Sequence, residues 1–148
     1  MAYKNASSTY RETRITTASQ SQLIIMLYDG AEKQLKLALE LLEMNNTDKK
    51  DPGRIEQIGK ALMKAEEIIT ELMVSLDFEQ GGEIAKNLFA LYTWFNRELM
   101  EANIAQDLRR IITVRDMISQ LRNSWKEIAG KYSSDSINRE AVGLNIAG

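Results

Sequence analysis

The chain has no cysteine, no histidine and a single proline among its 148 residues. Without cysteine it forms no disulfide and no thiolate metal site, which fits a reducing compartment. Without histidine it cannot assemble Ser-His-Asp or Cys-His catalysis, nor the Glu-x-x-His pairs that hold di-iron centres in helical bundles. Carboxylate sites for magnesium or calcium survive, but no segment has the loop spacing of a calcium-binding hand. Long apolar runs are missing as well. The longest, Leu23 to Tyr28, is far too short to cross a bilayer, and the polar N-terminus up to Tyr10 has no stretch that reads as a secretory signal. Charge is nearly balanced, with 19 Lys and Arg against 21 Asp and Glu. Bulk attraction to nucleic acid or to an anionic membrane is therefore not expected. These absences predict a soluble cytosolic protein with no cofactor, no nucleic-acid partner and no stable membrane insertion.

What is present is helical periodicity. The length suits one domain with a real core. Ser19 and Gln22 have the spacing of a capping box, and a helix is expected from there to about Met44. Its stripe is Leu23, Leu27, Ala31, Leu35, Ala38 and Leu42, widened by Ile24, Tyr28, Leu39 and Leu41. Gly30 falls in mid-helix, which suggests close approach of a neighbour. Residues 45–51 read as a solvated loop. Asp51 and Pro52 then restart a helix as N-cap and first position. Ile55, Ile58, Leu62, Ala65, Ile69, Leu72 and Leu76 follow in alternating threes and fours, a seam of the kind four-helix bundles use.

Gly81 and Gly82 suit a tight reversal, with the third helix expected from about Gly82 to Ala102 and Ile84, Leu88, Leu91 and Phe95 on one face. A fourth helix is expected from about Ala105 to Ala129, with its seam on Leu108, Ile111, Val114, Ile118, Leu121, Trp125 and Ile128 and with Gly130 placed to end it. No strand-like alternation appears. The fold class predicted is all-α, an antiparallel up-down four-helix bundle over residues 19–130, with a flexible N-terminal arm (1–18) and a C-terminal tail (131–148). The arm reads either as a plain tail or as a segment that folds back and covers a groove with Tyr10 and Ile15.

Nothing in the pattern resembles a catalytic constellation. Glu40, Glu43, Glu66 and Glu67 read as solvated carboxylates, and the basic run from Asp107 to Arg122 as a solvated face with pairing along the helix. Neither Asp29-Gly30 nor Gly81-Gly82 follows a strand or carries a phosphate-loop lysine. No enzyme is expected. The feature that exceeds a plain bundle is apolar surplus: Ile25, Met26, Leu37 and Met44 beside the first seam, and Phe89, Tyr92, Trp94 and Met100 beside the third. With seven methionines in the chain, such a surplus indicates a partner surface, a fat core or a dimer interface.

Three stretches carry a resemblance to a known family. Thr17-Ala18-Ser19-x-x-x-Leu23, followed by Met26-Leu27-Tyr28-Asp29-Gly30-Ala31, is the first. Leu76-Asp77-x-x-x-Gly81-Gly82-Glu83-Ile84-Ala85-x-Asn87-Leu88-x-x-Leu91-Tyr92 is the second. Arg97-x-Leu99-x-Glu101-Ala102-Asn103 with Trp125-Lys126 is the third. The chain resembles the flagellar secretion chaperone family, FliS. The resemblance implies a helical bundle that binds the disordered C-terminal segment of flagellin, keeps it from polymerising and helps deliver it to a flagellar export gate component. In that reading the partner-facing residues are Tyr10, Ile25, Met26, Tyr28, Ile68, Met73, Leu88, Tyr92 and Phe95, and the free protein is a monomer or weak homodimer. Tyr10 matches a tyrosine that covers part of the groove in the family. The family's usual proline after Ser19 is absent here, and the extension from Lys131 has no counterpart in it. The alternative function is a helical oligomerisation or regulatory adaptor.

Overall fold

A computed structural model describes residues 20–147, with side chains described for 20–131. The arm with Tyr10 and the Ser19 cap lie outside the described residues. The described chain is four helices: α1 (Gln20–Thr47), α2 (Pro52–Val74), α3 (Phe78–Ala105) and α4 (Leu108–Ala147). No strand occurs among the described residues. Met26–Leu121 is one compact unit, and the described residues 20–25 and 122–147 belong to another. In the described part of the latter, Leu23, Ile24, Ile25 and Trp125 are half-buried.

Within Met26–Leu121 the four helices make the predicted bundle. Side chains opposite one another fix its alternating directions. Gly30 packs so closely under Ile68 that an added Cβ would stand 3.3 Å from its Cδ1, while Asn45 meets Arg54 further along. The pairs run in opposite senses, so α1 and α2 are antiparallel. Thr70 meets Asn96 and Gly59 faces Asn103, which makes α2 and α3 antiparallel too. The core is Tyr28, Leu35, Leu42, Ile58, Leu62, Ile69, Leu72, Tyr92, Phe95, Leu99, Ile111 and Ile118, all essentially without exposure. Burying each such aliphatic or aromatic group contributes about 1.5–3 kcal/mol.

The second seam follows its spacing from Ile58 to Leu72, with the end residue Ile55 exposed. The first link between helices is tighter than a solvated loop. Asn45, the buried polar residue, accepts hydrogen bonds from the Asp51 amide and from Arg54, each at 3.3 Å. Asp51 caps α2 as expected, accepting from the Gly53 amide at 2.9 Å.

The reversal before α3 departs from the expectation. It lies at Ser75–Asp77, where the Asp77 carboxylate accepts from the amides of Glu79 and Gln80 and starts the helix at Phe78. Gly82 then breaks α3 one turn in, at φ 51° and ψ −124°. A side chain resists that backbone conformation and glycine tolerates it. The core face of α3 is also rotated from the expected one. Ala85, Tyr92, Phe95, Leu99 and Ala102 are buried, whereas Ile84 is 70% exposed and Leu88 and Leu91 are half-buried. The helix is apolar on two adjoining faces, and the expected set straddles them, with Phe95 in the core and Ile84 outward.

The last reversal sits at Gln106 and Asp107 rather than before Ala105. Gln106 adopts a left-handed conformation, and its amide closes on the Ala102 carbonyl. Arg110 ties α4 back to α3 through Glu98 at 3.0 Å and Glu101 at 2.7 Å, and to the turn through Asp107 at 3.3 Å. Gly130 does not end α4, which runs on to Ala147. A single glycine weakens a helix by about 1 kcal/mol and terminates it only where the backbone turns left-handed.

Candidate functional site

The residues named from the sequence fall into two groups. Tyr28, Tyr92 and Phe95 are in the core. Their rings form a chain, with centroids 6.5 Å apart for Tyr28 and Tyr92 and 6.2 Å for Tyr92 and Phe95. The two tyrosine hydroxyls hydrogen-bond to each other. Burial, and then the neighbouring Tyr28, push the Tyr92 phenol above its ordinary pKa. These three rings support the surface from below and do not present to it. Met26 is exposed, and Ile25, Ile68, Met73 and Leu88 are half-buried. Tyr10 lies outside the described residues.

Four of the exposed large apolar residues flank the α2–α3 turn: Val74 is 67% and Ile84 70% exposed, and Phe78 and Phe89 are exposed as well. The Phe78 and Phe89 rings meet edge to face at 5.9 Å, across the break at Gly82. The sequence pattern sets Ile84 on one face with Leu88, Leu91 and Phe95, and it singles out neither Val74 nor Phe78. The signal that could have found them is Asp77, whose carboxylate fits an N-cap and places Phe78 on the first turn of a helix.

Met63 on α2 and Met100 on α3 are exposed as well. Between these two helices Asn96 donates to the Thr70 hydroxyl at 3.2 Å, and Thr70 donates in turn to the Glu66 carbonyl at 2.8 Å. Burial raises the pKa of the Glu66 carboxyl. Between α1 and α4, Lys33, Lys36 and Arg115 share a hollow of about 360 Å³ with Asp29, Glu32 and Ser119. Ser119 donates to Glu32 at 2.6 Å, and Arg115 pairs with the neighbouring Asp116 at 3.0 Å. Among the described residues no group of three or more acidic, histidine or cysteine side chains could hold a metal ion. No helix among them is long and apolar enough to cross a membrane.

A helical bundle with exposed apolar side chains about one hairpin has the features of a class of proteins that lay such surfaces against partner helices. The family described as flagellar protein FliS matches residues 3–132. Similar proteins include the flagellar secretion chaperone FliS of Salmonella typhimurium, 40% identical over 123 residues, covering 82% of this chain and 85% of the relative. That of Escherichia coli is 36% identical over 78% of this chain and 80% of its own length. That of Bacillus subtilis is 29% identical over 86% and 88% respectively. The chain belongs to the FliS family of flagellar secretion chaperones.

Proposed function

We propose that this protein is a cytosolic chaperone that holds the disordered C-terminal segment of flagellin, prevents its premature polymerisation and supports its delivery to the flagellar export gate. It performs no chemistry on the client. The observation that carries this reading is the exposed apolar surface of Val74, Phe78, Ile84 and Phe89 at the α2–α3 hairpin, in a chain of this family. Met26, Met73 and Leu88 extend the apolar material available to a client. A segment that folds as it binds must recover its ordering entropy from apolar burial, which requires anchors of this size. Short amphipathic helices laid against the surface meet that need. The rigid core rings Tyr28, Tyr92 and Phe95 keep the surface in shape, so little of the binding energy goes into ordering the chaperone itself.

Isothermal titration with the flagellin C-terminal segment tests this. One segment is expected to bind per chain, with a negative heat-capacity change from apolar burial. Ile84→Asp and Phe89→Asp should each weaken binding by about tenfold or more while the fold is retained. Absence of binding to an intact segment would refute the reading. A stable dimer indifferent to flagellin would favour the adaptor role.

A further inference from the structure

A second groove lies on the other half of the bundle, between α1 and α2 and toward their connecting loop. Gly30 against Ile68 and Asn45 against Arg54 set the register of the two helices. Between those points Gln34, Leu37 and Leu41 of α1 face Lys60, Ala61 and Lys64 of α2 around a hollow of about 330 Å³. Its base is apolar: Ala61 is buried, Leu41 half-buried and Leu37 44% exposed. The exposure of Leu37 is not forced by a shortage of core positions, since Leu35, Ala38, Leu39 and Leu42 of the same helix are all buried. Leu37, Leu41 and the exposed Met44 follow at four and three residues, a row along the helix. From Gln34 to Met44 the row spans about 15 Å, roughly three turns of a docked helix.

The groove's charge has one sign. Its charged lining residues are Lys60 and Lys64. Lys60 shares its ammonium with Glu56 at 3.5 Å, and Lys64 makes no ion pair among the described residues. Glu40 and Glu43 are exposed on α1 and do not line the hollow. An apolar trough edged by lysines complements a helix with an apolar stripe flanked by carboxylates. We infer that the α1–α2 groove docks an acidic amphipathic helix of a partner protein, with its apolar side chains on Leu37, Leu41 and Ala61 and its carboxylates on Lys60 and Lys64. This site is separate from the hairpin surface assigned to flagellin, and it stands whether or not that assignment does.

The test uses the full chain and a designed, fluorescein-labelled helical peptide with leucines at i, i+3, i+4 and i+7 flanked by glutamates. A control peptide carries lysines in place of the glutamates. Fluorescence anisotropy should show the glutamate peptide binding at least about tenfold more tightly than the control, with the advantage shrinking as salt rises. Lys64→Glu and Leu37→Ser should each weaken it by about tenfold, with melting temperatures near that of the parent because both side chains lie at the surface. Affinity for the flagellin segment should be unchanged in both variants. Equal binding of the two peptides, or no effect of Lys64→Glu, would overturn the inference. So would an equal loss of flagellin affinity, which would make the groove part of the client surface. A self-dimer that Leu37→Ser dissolves would overturn it in favour of a second copy of this chain.

Discussion

The hydroxyls of Tyr28 and Tyr92, 64 residues apart in sequence, hydrogen-bond to each other inside the bundle and join α1 to α3. Each ring supplies apolar bulk to the core, and each polar tip finds a partner where water does not reach. Removing one hydroxyl leaves a buried group with one partner fewer. Tyr92→Phe should therefore cost about 1–2 kcal/mol, a melting temperature lower by roughly 2–8 °C. The double variant with Tyr28→Phe should cost less than the sum of the single ones, because both ends of the bond go together. Strict additivity in a thermal-melt cycle would show that the bond contributes nothing.

The same pair sets an alkaline limit. The folded pKa of Tyr92 lies above that of the unfolded chain, so the unfolded state gives up the phenolic proton first. The contribution to stability is full below about pH 10, the ordinary tyrosine value, and is lost as pH rises from there toward the folded value. Denaturant melts across this range should show parent stability falling more steeply than that of Tyr92→Phe. Parallel curves would contradict the burial argument.

Glu66 predicts the opposite end of the scale. Burial raises its carboxyl pKa, so the folded state holds this proton more tightly than the unfolded one. Its favourable contribution is present below the unfolded value of about 4.3 and disappears as pH rises through the folded value, leaving a partly buried charge near neutrality. Glu66→Gln should melt above the parent at about pH 7 and with it at about pH 3, where both side chains are neutral. A gain of equal size at both values would mean that the charge is not the cause.

Gly82 is a position where the backbone of α3 itself resists a side chain. Its φ of 51° and ψ of −124° lie where a side chain is strained, although a Cβ there would meet nothing within 4 Å. Gly82→Ala should cost about 1–3 kcal/mol through backbone strain alone, seen as a lower denaturation midpoint with an unchanged slope. A neutral effect would mean that the first turn of α3 can straighten.

Phe95 and Ile84 separate core from surface on one helix. Phe95→Ala should cost about 3–5 kcal/mol, because the side chain is wholly buried. Ile84→Ser should change stability by about 0.5 kcal/mol or less while weakening client binding. Comparable destabilisation by both would return Ile84 to the core.

The bundle was legible because a repeat of threes and fours has one physical meaning when the other faces are polar, as along Ile58, Leu62, Ala65, Ile69 and Leu72 in α2. It was less legible in α3, where Ala85 and Ala102 are core but carry little apolar weight, while Ile84 and Leu88 carry much and lie outward. The glycine pair drew the expected helix start four residues late, although the Asp77 carboxylate defines it. Tyr28 reads as part of the first stripe and Tyr92 as apolar surplus, and their assignment to the partner follows the family resemblance; only folding shows that the two hydroxyls satisfy each other. Among the exposed apolar residues, Met26 and Phe89 show in the pattern as apolar surplus. Val74 and Phe78 became visible only once the hairpin was placed.

The break at Gly82 gives this surface a particular mechanical character. The first turn of α3 carries Phe78, and past the broken residue it is fastened to the helix body by the contact of Phe78 with Phe89. An aromatic contact of this kind is worth about 0.5–1.5 kcal/mol, and the backbone at Gly82 is already out of helical geometry. A single turn can thus be tilted by an incoming chain for less than the binding energy of one good anchor. The compliance of the protein is concentrated beside its stickiest residues, and the core tyrosines need not move for the surface to adjust its grip.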